Sequence, residues 1–139
     1  MLQMLNRLIN RAATIAYGFR RRPDGTSGAH AIALTPDGKI ILVKLRYAKG
    51  WRVPGGGRSK GEGLEAAVLR ELGEEIGMRS HGVGRASPIA GVLIVQDVLY
   101  RPRRWSWEVE AVCEAAIDDL PPETSRRTRA WLTAARDAL

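Results

Sequence analysis

Residues 56–78 read GGRSKGEGLEAAVLRELGEEIGM and are the most informative segment of this chain. Apolar residues recur at every fourth position from Leu64 to Ile76, the spacing that aligns them along one side of a helix. Gly77 follows at the position where a glycine commonly ends a helix. The pattern predicts an amphipathic helix over residues 63–77.

A second face of this predicted helix is acidic. Glu71, Glu74 and Glu75 are spaced so that their carboxylates fall within an arc of about 100° and can converge on one point. Like charges at these spacings destabilise a helix by about 0.2–0.5 kcal/mol per pair, so stability alone does not explain them. Converging carboxylates suit a hard divalent cation such as Mg²⁺ or Mn²⁺. Glu75 borders the apolar face and is expected to be the least exposed of the three.

The glycines at 55–57 precede the helix and predict a flexible loop that presents backbone carbonyls or amides to an ion or a phosphate. The loop is not a Walker loop, because Glu62 and Gly63 stand where lysine and serine or threonine are required. It is not a dinucleotide-binding fingerprint either, because Lys60 replaces the third glycine.

The charge of the chain is divided unevenly. The 139 residues, 45% of them hydrophobic, suffice for about one domain, and their formal net charge is +7. Residues 62–78 contain five glutamates and one arginine, a net charge of −4, which leaves +11 for the remainder. A bound cation beside a bound polyanion would explain an acidic block in a basic chain.

The content of cysteine and histidine excludes two kinds of site. Cys113 is the only cysteine, so no intrachain disulfide forms, and with only His30 and His81 there is no zinc cluster. A reducing cytoplasm is the expected compartment. No apolar run approaches the ~20 residues of a membrane-spanning helix.

The chain divides into two predicted regions, an N-terminal basic helix and linker over residues 1–25 and a domain over residues 26–139. The first region alternates apolar residues with arginines and ends in the run Arg20 to Arg22. It can attach to a membrane surface or to nucleic acid, or it can pack on the edge of the domain with a solvated basic end.

Within the domain, residues 29–34 and 39–44 are predicted strands joined by a Pro-Asp-Gly turn, which resembles a β-hairpin. The remaining predicted elements are strands over 90–95, 98–100 and 105–115, a loop over 77–90, and a helix over 125–138 with Thr124 or Ser125 as its N-cap. Most of the aromatic residues Trp51, Tyr100, Trp105 and Trp107 are expected in the core. The order of elements predicts α/β layers around a mixed sheet.

Residues 56–78 resemble the complete signature of the Nudix hydrolases. The seven positions that the signature specifies by identity are Gly56, Glu62, Arg70, Glu71, Glu74, Glu75 and Gly77, and Leu72 and Met78 fill its two bulky apolar positions. The resemblance implies an α/β/α sandwich with a mixed β-sheet. It also implies cleavage of a nucleoside diphosphate linked to another moiety, by attack of water on phosphorus with Mg²⁺ or Mn²⁺.

The resemblance implies a role for each matched residue. Glu71, Glu74 and Glu75 would be metal ligands together with the carbonyl of Gly55. Glu71, Arg70 and Glu74 would be catalytic, with Glu71 a candidate general base and Arg70 orienting it. Arg70 is also placed to form an ordinary helical ion pair with Glu74. Glu62 would support the loop, or it is simply an acid favoured by the helix dipole.

Several residues outside the signature are candidates for the site. Those that could bind substrate phosphates are Arg52, Lys44, Arg46 and Arg58, each of which is otherwise a solvated surface charge. Glu108 and Glu110 lie on a predicted strand, and the resemblance allows either to supply an additional metal ligand or base.

Two functional hypotheses follow from the sequence. The first is a pyrophosphohydrolase acting on a nucleotide diphosphate derivative, for which the resemblance is compatible with a homodimer. The second is a catalytically inactive module with the same fold that binds nucleic acid or an acidic membrane surface. Its basic segments would be Arg7, Arg11, the run Arg20 to Arg22, and the later group Arg101, Arg103 and Arg104. The substrate is left open.

Overall fold

The computed structural model describes residues 28–139. The predicted basic helix and linker of residues 1–25 therefore lies outside the described residues and stays a prediction. In the described part of the chain, neither helix has the length and apolar composition needed to cross a membrane.

The described residues form nine strands and two helices. The strands are β1 (Gly28–Ala33), β2 (Ile40–Leu45), β3 (Trp51–Arg52), β4 (Gly55–Gly57), β5 (Met78–Ser80), β6 (Gly84–Ala86), β7 (Val92–Val95), β8 (Leu99–Tyr100) and β9 (Val109–Ala115). The helices are α1 (Leu64–Ile76) and α2 (Arg126–Ala135), and a short 3₁₀ turn (Arg136–Ala138) follows α2.

The strands form one mixed sheet and two smaller antiparallel sheets. The mixed sheet has the order β4-β1-β7-β6, in which only β1 and β7 are parallel. A second sheet has the order β3-β2-β9, and β5 pairs with β8. This arrangement confirms the predicted α/β fold with a mixed sheet.

The alternating side chains of β1 separate two cores. Ala29, Ala31 and Ala33 pack with Val68, Leu72 and Ile76 of α1. Ile32 and Leu34 point to the other side and pack with Leu132 of α2. Because successive side chains of a strand face opposite ways, the two helices lie on opposite faces of β1. The sheet is thus enclosed between them.

The predicted β-hairpin of β1 and β2 is wrong. The two strands belong to different sheets, and the link between them is one isolated antiparallel bridge from Leu34 to Ile40. The turn itself forms, with the Thr35 N–H donating to the Lys39 carbonyl oxygen at 2.9 Å. Beyond the bridge β1 pairs with β4 and β7, so the turn carries the chain from one sheet to the next.

The glycines at 55–57 also differ from their prediction as a flexible loop. They form β4, an edge strand paired antiparallel with β1. A Cβ atom on Gly55 would lie 2.5 Å from the carbonyl oxygen of Ala29 and 2.6 Å from Cδ2 of His30. Glycine allows the backbone of β4 to approach β1 this closely, so the segment is held in place by pairing.

Helix α1 agrees with the sequence prediction at both ends. Gly63 is its N-cap, and Gly77 ends it in the left-handed conformation with φ 69° and ψ 42°. The Gly77 N–H donates to the carbonyl of Leu72, which satisfies one of the terminal carbonyl groups of the helix. The buried face of the helix is thereby fixed against β1 and β4.

Three further predictions need correction. The predicted loop over 77–90 contains β5 and β6, which are three residues each and too short to show a periodicity. Strand β9 begins at Val109, because the preceding residues form a loop held by the Ser106 hydroxyl, which accepts from the Val109 N–H at 3.0 Å. Trp105 and Trp107 in that loop are 53% and 45% exposed and are not core residues.

Candidate active site

Arg70 on α1 joins the acidic residues of the signature. It forms a forked pair with Glu62, with Nε to Oε2 at 2.9 Å and Nη2 to Oε1 at 2.8 Å. Its Nη1 donates to Glu71 Oε1 at 3.1 Å and lies 3.6 Å from Glu74 Oε2. Nη2 also donates to the carbonyl of Gly57 at 3.1 Å. One guanidinium thus holds three carboxylates and the end of β4.

Glu75 is fixed separately at the start of β4. The Gly55 N–H donates to Glu75 Oε2 at 2.9 Å. Glu71 is 3% exposed and Glu75 is 5% exposed. The expectation that Glu75 would be the least exposed was wrong by a small margin, because the close approach of β4 covers Glu71 as well.

Gly56 lies directly against the carboxylate of Glu71. A Cβ atom at this position would lie 2.8 Å from Glu71 Oε1 and 3.1 Å from its Cδ. Any larger residue would therefore push the carboxylate away from Arg70. Glycine at position 56 therefore leaves the room that the Glu71 carboxylate occupies.

The forked pair has a clear electrostatic consequence. Hydrogen bonds from Arg70 and from the Ser59 N–H lower the pKa of Glu62 from 4.5 to about 2. The same pair, with the neighbouring Glu71 and Glu74, raises the pKa of Arg70. Both groups stay charged at neutral pH, so the network around them is ionic.

The donor chemistry of this cluster fits a hard divalent cation. Glu62, Glu71 and Glu74 share the single charge of Arg70, whereas Glu75 accepts from the Gly55 N–H, and Glu71 and Glu75 are buried. Buried carboxylates are costly unless cations compensate them. Within residues 28–139, however, no three His, Cys, Asp or Glu side chains form a ready metal-binding group. At least one glutamate would have to turn from its present partner to share an ion.

The basic candidates outside the signature are dispersed and bonded locally. Lys44 lies 3.7 Å from Glu123, and Arg58 donates to the Gly28 carbonyl at 3.2 Å. Arg46 donates to the Ser106 carbonyl at 2.6 Å and stacks on Trp105, 5.1 Å from the ring centroid. The contacts of these three side chains are with residues outside the acidic cluster.

Glu108 lies in the loop immediately before β9 rather than on the strand, and Glu110 lies on β9. Glu108 is 7% exposed, and the hydroxyl of Tyr47 donates to its Oε1 at 3.2 Å. Its contacts join the loop after β2 to the loop before β9. A role as metal ligand or base stays a prediction.

Three residues that the sequence did not indicate, His30, Trp131 and Arg127, form a chain of contacts. His30 on β1 is the register partner of Gly55, and its ring centroid lies 5.0 Å from that of Trp131 on α2. Arg127 lies over the Trp131 ring at 5.7 Å. Burial, followed by the positive charges of Arg127 and Arg52, lowers the pKa of His30 to about 4. No local motif could reveal this group, since its members come from β1 and α2.

The comparisons with known proteins agree with this geometry. A model described as the NUDIX domain matches residues 25–134. The crystal structure of a MutT NUDIX hydrolase from Burkholderia pseudomallei is 30% identical with a TM-score of 0.60, over 77% of this chain and 95% of that chain. An ADP-ribose pyrophosphatase from Streptococcus suis has a TM-score of 0.62 over 80% of this chain and 89% of that chain. Its 23% identity supports a shared fold alone.

A shorter match comes from a curated relative in Bacillus subtilis (strain 168), named "Putative 8-oxo-dGTP diphosphatase". The two sequences are 42% identical over 52 residues, which is 37% of this chain. The matched segment spans 35% of that relative, about a third of its length.

Proposed function

This chain belongs to the Nudix hydrolase family, and on that premise we propose that it is a divalent-metal-dependent pyrophosphohydrolase. The observation that carries the proposal is the ionic cluster in which Arg70 binds Glu62, Glu71 and Glu74. A purely structural helix has no need for three carboxylates around one guanidinium. The substrate class is a nucleoside diphosphate linked to another moiety, nucleoside triphosphates included.

In this proposal Glu71, Glu74 and Glu75, with the carbonyl of Gly55, would hold Mg²⁺ or Mn²⁺. The ion would neutralise the diphosphate, polarise phosphorus and lower the pKa of the attacking water. Water adds to phosphorus, the bond from that phosphorus to the bridging oxygen breaks, and the released phosphate leaves with the bridging oxygen. Each product carries away one end of the original anhydride.

The residues of this chain then have separate tasks. Glu71 accepts the proton of the attacking water, and Arg70, which donates to its Oε1 at 3.1 Å, keeps that carboxylate oriented. Glu74 lies close to the same guanidinium nitrogen and, as the second proposed metal ligand, adds a negative charge to the site. Glu62 holds Arg70 and thereby acts through it as a positioning residue.

The basic residues are proposed to assist from the periphery. Arg52 lies on β3, shortly before β4, and its charge reaches His30, the register partner of Gly55. Lys44, Arg46 and Arg58 would attract the phosphates through the general field of the protein, since each already has a local contact. The 8-oxo-dGTP named for the Bacillus relative places one nucleoside triphosphate first among the substrates to be tried.

The test is a panel of nucleoside triphosphates, nucleoside diphosphate sugars and dinucleoside polyphosphates, assayed with Mg²⁺, with Mn²⁺ and with excess chelator. We expect at least one compound to yield a nucleoside monophosphate and a second phosphate product with metal alone. Glu74→Gln should abolish this turnover, and Glu65→Gln, on an exposed part of the same helix, should not. Turnover that persists in chelator would contradict the proposal.

A second candidate function is binding of single-stranded nucleic acid, with or without hydrolysis. Arg101, Arg103 and Arg104 are exposed and precede the exposed Trp105 and Trp107, whose rings lie 4.5 Å apart in an edge-to-face arrangement. Aromatic faces beside arginines are typical of surfaces on which bases stack. Binding of a single-stranded RNA that weakens steeply with salt would support this function, and no binding at low salt would remove it.

A further inference from the structure

Strand β4 consists of three glycines, so it has no side chain of its own to fix its position. In the part of the chain that the structure describes, β1 is its only strand partner. Gly55 nevertheless attaches the acidic side to the sheet, because its N–H donates to Glu75 Oε2 at 2.9 Å. The position of the Glu75 carboxylate therefore depends on what holds the backbone of Gly55.

His30 lies against Gly55 with both its backbone and its ring. The two residues are register partners in the pairing of β1 with β4. A Cβ atom on Gly55 would lie 2.5 Å from the Cα of His30 and 2.6 Å from its Cδ2. The φ angle of Gly55 is 148°, a conformation that residues with a Cβ rarely adopt. The imidazole thus occupies the space in which a side chain of β4 would otherwise pack.

Trp131 contacts the same imidazole from α2. The centroids of the two rings lie 5.0 Å apart, with an angle of 57° between the ring planes. Tilted aromatic rings at this distance attract one another. The guanidinium of Arg127 lies 5.7 Å from the centroid of the Trp131 ring and adds a cation–π contact. Contacts therefore run from α2 through Trp131 and His30 to Gly55.

Helix α2 is itself fixed to the segment that leads into β4. The Trp51 N–H donates to the Glu123 carbonyl at 2.9 Å, and the Ser125 N–H donates to the Trp51 carbonyl at 2.8 Å. The Val53 N–H donates to the Thr128 hydroxyl at 3.2 Å. The helix that supports the imidazole is therefore anchored next to the strand that the imidazole contacts.

We propose that His30 and Trp131 are positioning residues for the acidic cluster, because their ring contact holds Gly55 and thereby places the Glu75 carboxylate for a divalent cation. The proposal rests on the proposed function, in which Glu75 and the Gly55 carbonyl would be metal ligands. Both rings would act through Gly55, without a part in the chemical step. Without them Gly55 would depend on its backbone pairing, and the end of β4 would open more often.

The alternative is that Trp131 only stabilises the packing of α2. Trp131 packs at the margin of the core between α2 and the sheet, and its neighbour Leu132 is buried in that core. Leu132→Ala removes buried apolar volume from α2 and should destabilise the protein, but it leaves both rings in place. It is therefore the matched control for Trp131→Leu, which removes a ring.

The first measurement is hydrogen exchange of the Gly55 amide, followed by NMR in excess chelator, with urea unfolding of each variant. We expect this exchange to be on the order of 10-fold faster in Trp131→Leu and in His30→Leu than in the wild-type protein. Trp131→Phe keeps an aromatic ring and should restore slow exchange. Leu132→Ala should exchange this amide nearly as slowly as the wild-type protein, despite its lower stability.

The second measurement is the binding of Mn²⁺ by titration calorimetry without nucleotide. We expect Trp131→Leu to bind Mn²⁺ on the order of 10-fold more weakly than the wild-type protein, because Glu75 is held less firmly. Trp131→Phe and Leu132→Ala should bind Mn²⁺ nearly as tightly as the wild-type protein. A purely structural role of Trp131 predicts instead that the loss of Mn²⁺ binding follows the loss of stability in all the variants.

The proposal is overturned if the Gly55 amide exchanges equally slowly in Trp131→Leu and in the wild-type protein, or if Leu132→Ala speeds its exchange as much. Fast exchange in Trp131→Phe would also contradict it, since that variant keeps a ring. The expected exchange pattern without metal-dependent hydrolysis of any nucleotide would support the hold on Gly55 and remove the proposed function. Metal-dependent hydrolysis with unchanged exchange in every variant would do the reverse.

Discussion

The two helices that enclose the mixed sheet have opposite charges and are built from different kinds of sequence. Helix α1 carries four glutamates against Arg70, a net charge of −3, and α2 carries three arginines and no acid, a net charge of +3. The functional groups of α1 lie within one short motif, whereas those on the α2 side come from segments about a hundred residues apart. Between them lies β4, whose residues contact the acidic side through Glu75 and the basic side through His30.

In the proposed function the acidic side would hold the cation and supply the base for water. The basic side carries three arginines on α2 and the contact between the rings of His30 and Trp131. Variants on each side show whether the two sides act separately.

The largest expected effect is on the acidic side. Glu74→Gln and Glu75→Gln should each lower Mg²⁺-dependent kcat/KM on the order of 100-fold or more, because each removes an anionic oxygen ligand while keeping the shape of the side chain. The measurement is steady-state turnover on the preferred nucleotide, with Mn²⁺ binding by calorimetry as a second readout. Glu65→Gln is the matched control. Near wild-type turnover in Glu74→Gln or in Glu75→Gln would contradict the assignment of that residue as a metal ligand.

The glycines of the site should separate activity from stability. Gly56→Ala should reduce turnover on the order of 10-fold or more, because its Cβ would displace the Glu71 carboxylate. Gly77→Ala should instead destabilise the fold by at least about 2 kcal/mol, because φ is 69° and the new Cβ would collide with the Arg101 carbonyl. Urea unfolding and turnover are measured on both variants. A loss of stability without loss of turnover in Gly56→Ala, or the converse in Gly77→Ala, would contradict this prediction.

Glu62 should make a contribution to stability that depends on pH. Its folded pKa of about 2 lies below the ordinary 4.5, so its stabilising effect is complete above about pH 5 and is lost as the pH falls toward 2. Glu62→Gln should be less stable than the wild-type protein by about 1–3 kcal/mol at pH 7. Unfolding at a series of pH values checks this, and a difference that stays constant down to pH 3 would rule out the ionic pair with Arg70.

The smallest effect is expected at the start of α2. The Ser125 hydroxyl accepts from the Thr128 N–H at 3.2 Å and caps the helix. Ser125→Ala should lower the free energy of unfolding by about 1 kcal/mol. Turnover on a nucleotide should stay unchanged at saturating substrate, since the acidic side is untouched. A fall in the kcat of Ser125→Ala comparable to that of Gly56→Ala would show that the α1 and α2 sides do not act separately.

The extent of sequence prediction follows the same division. Helix α1 was predicted with both of its glycine ends, and Ser125 was one of two predicted caps for α2, because helical spacing and capping are local. The ion pair of Arg70 with Glu74 was likewise predictable from their spacing of four residues, whereas the contact of Arg70 with Glu71 was implied by the family resemblance. The family resemblance rested on this same local segment.

The failures come from contacts that are distant in sequence. The turn after β1 has the residues of a hairpin, but competition from β4 and β7 for the edges of β1 decides its pairing. The glycines of β4 looked flexible because nothing local shows that Ala29 and His30 lie against them. The contact of His30 with Trp131 could not be predicted, since the two residues meet only after β1 and α2 have packed.

The most direct test of the central claim is the release of products from GTP and 8-oxo-dGTP, followed with Mg²⁺ and with excess chelator, for the wild-type protein and Glu74→Gln. The proposed function predicts a nucleoside monophosphate and pyrophosphate from the wild-type protein with Mg²⁺, and no product in chelator or from the variant. Equal product formation in chelator, or by Glu74→Gln, would contradict a metal held by the acidic side of this fold.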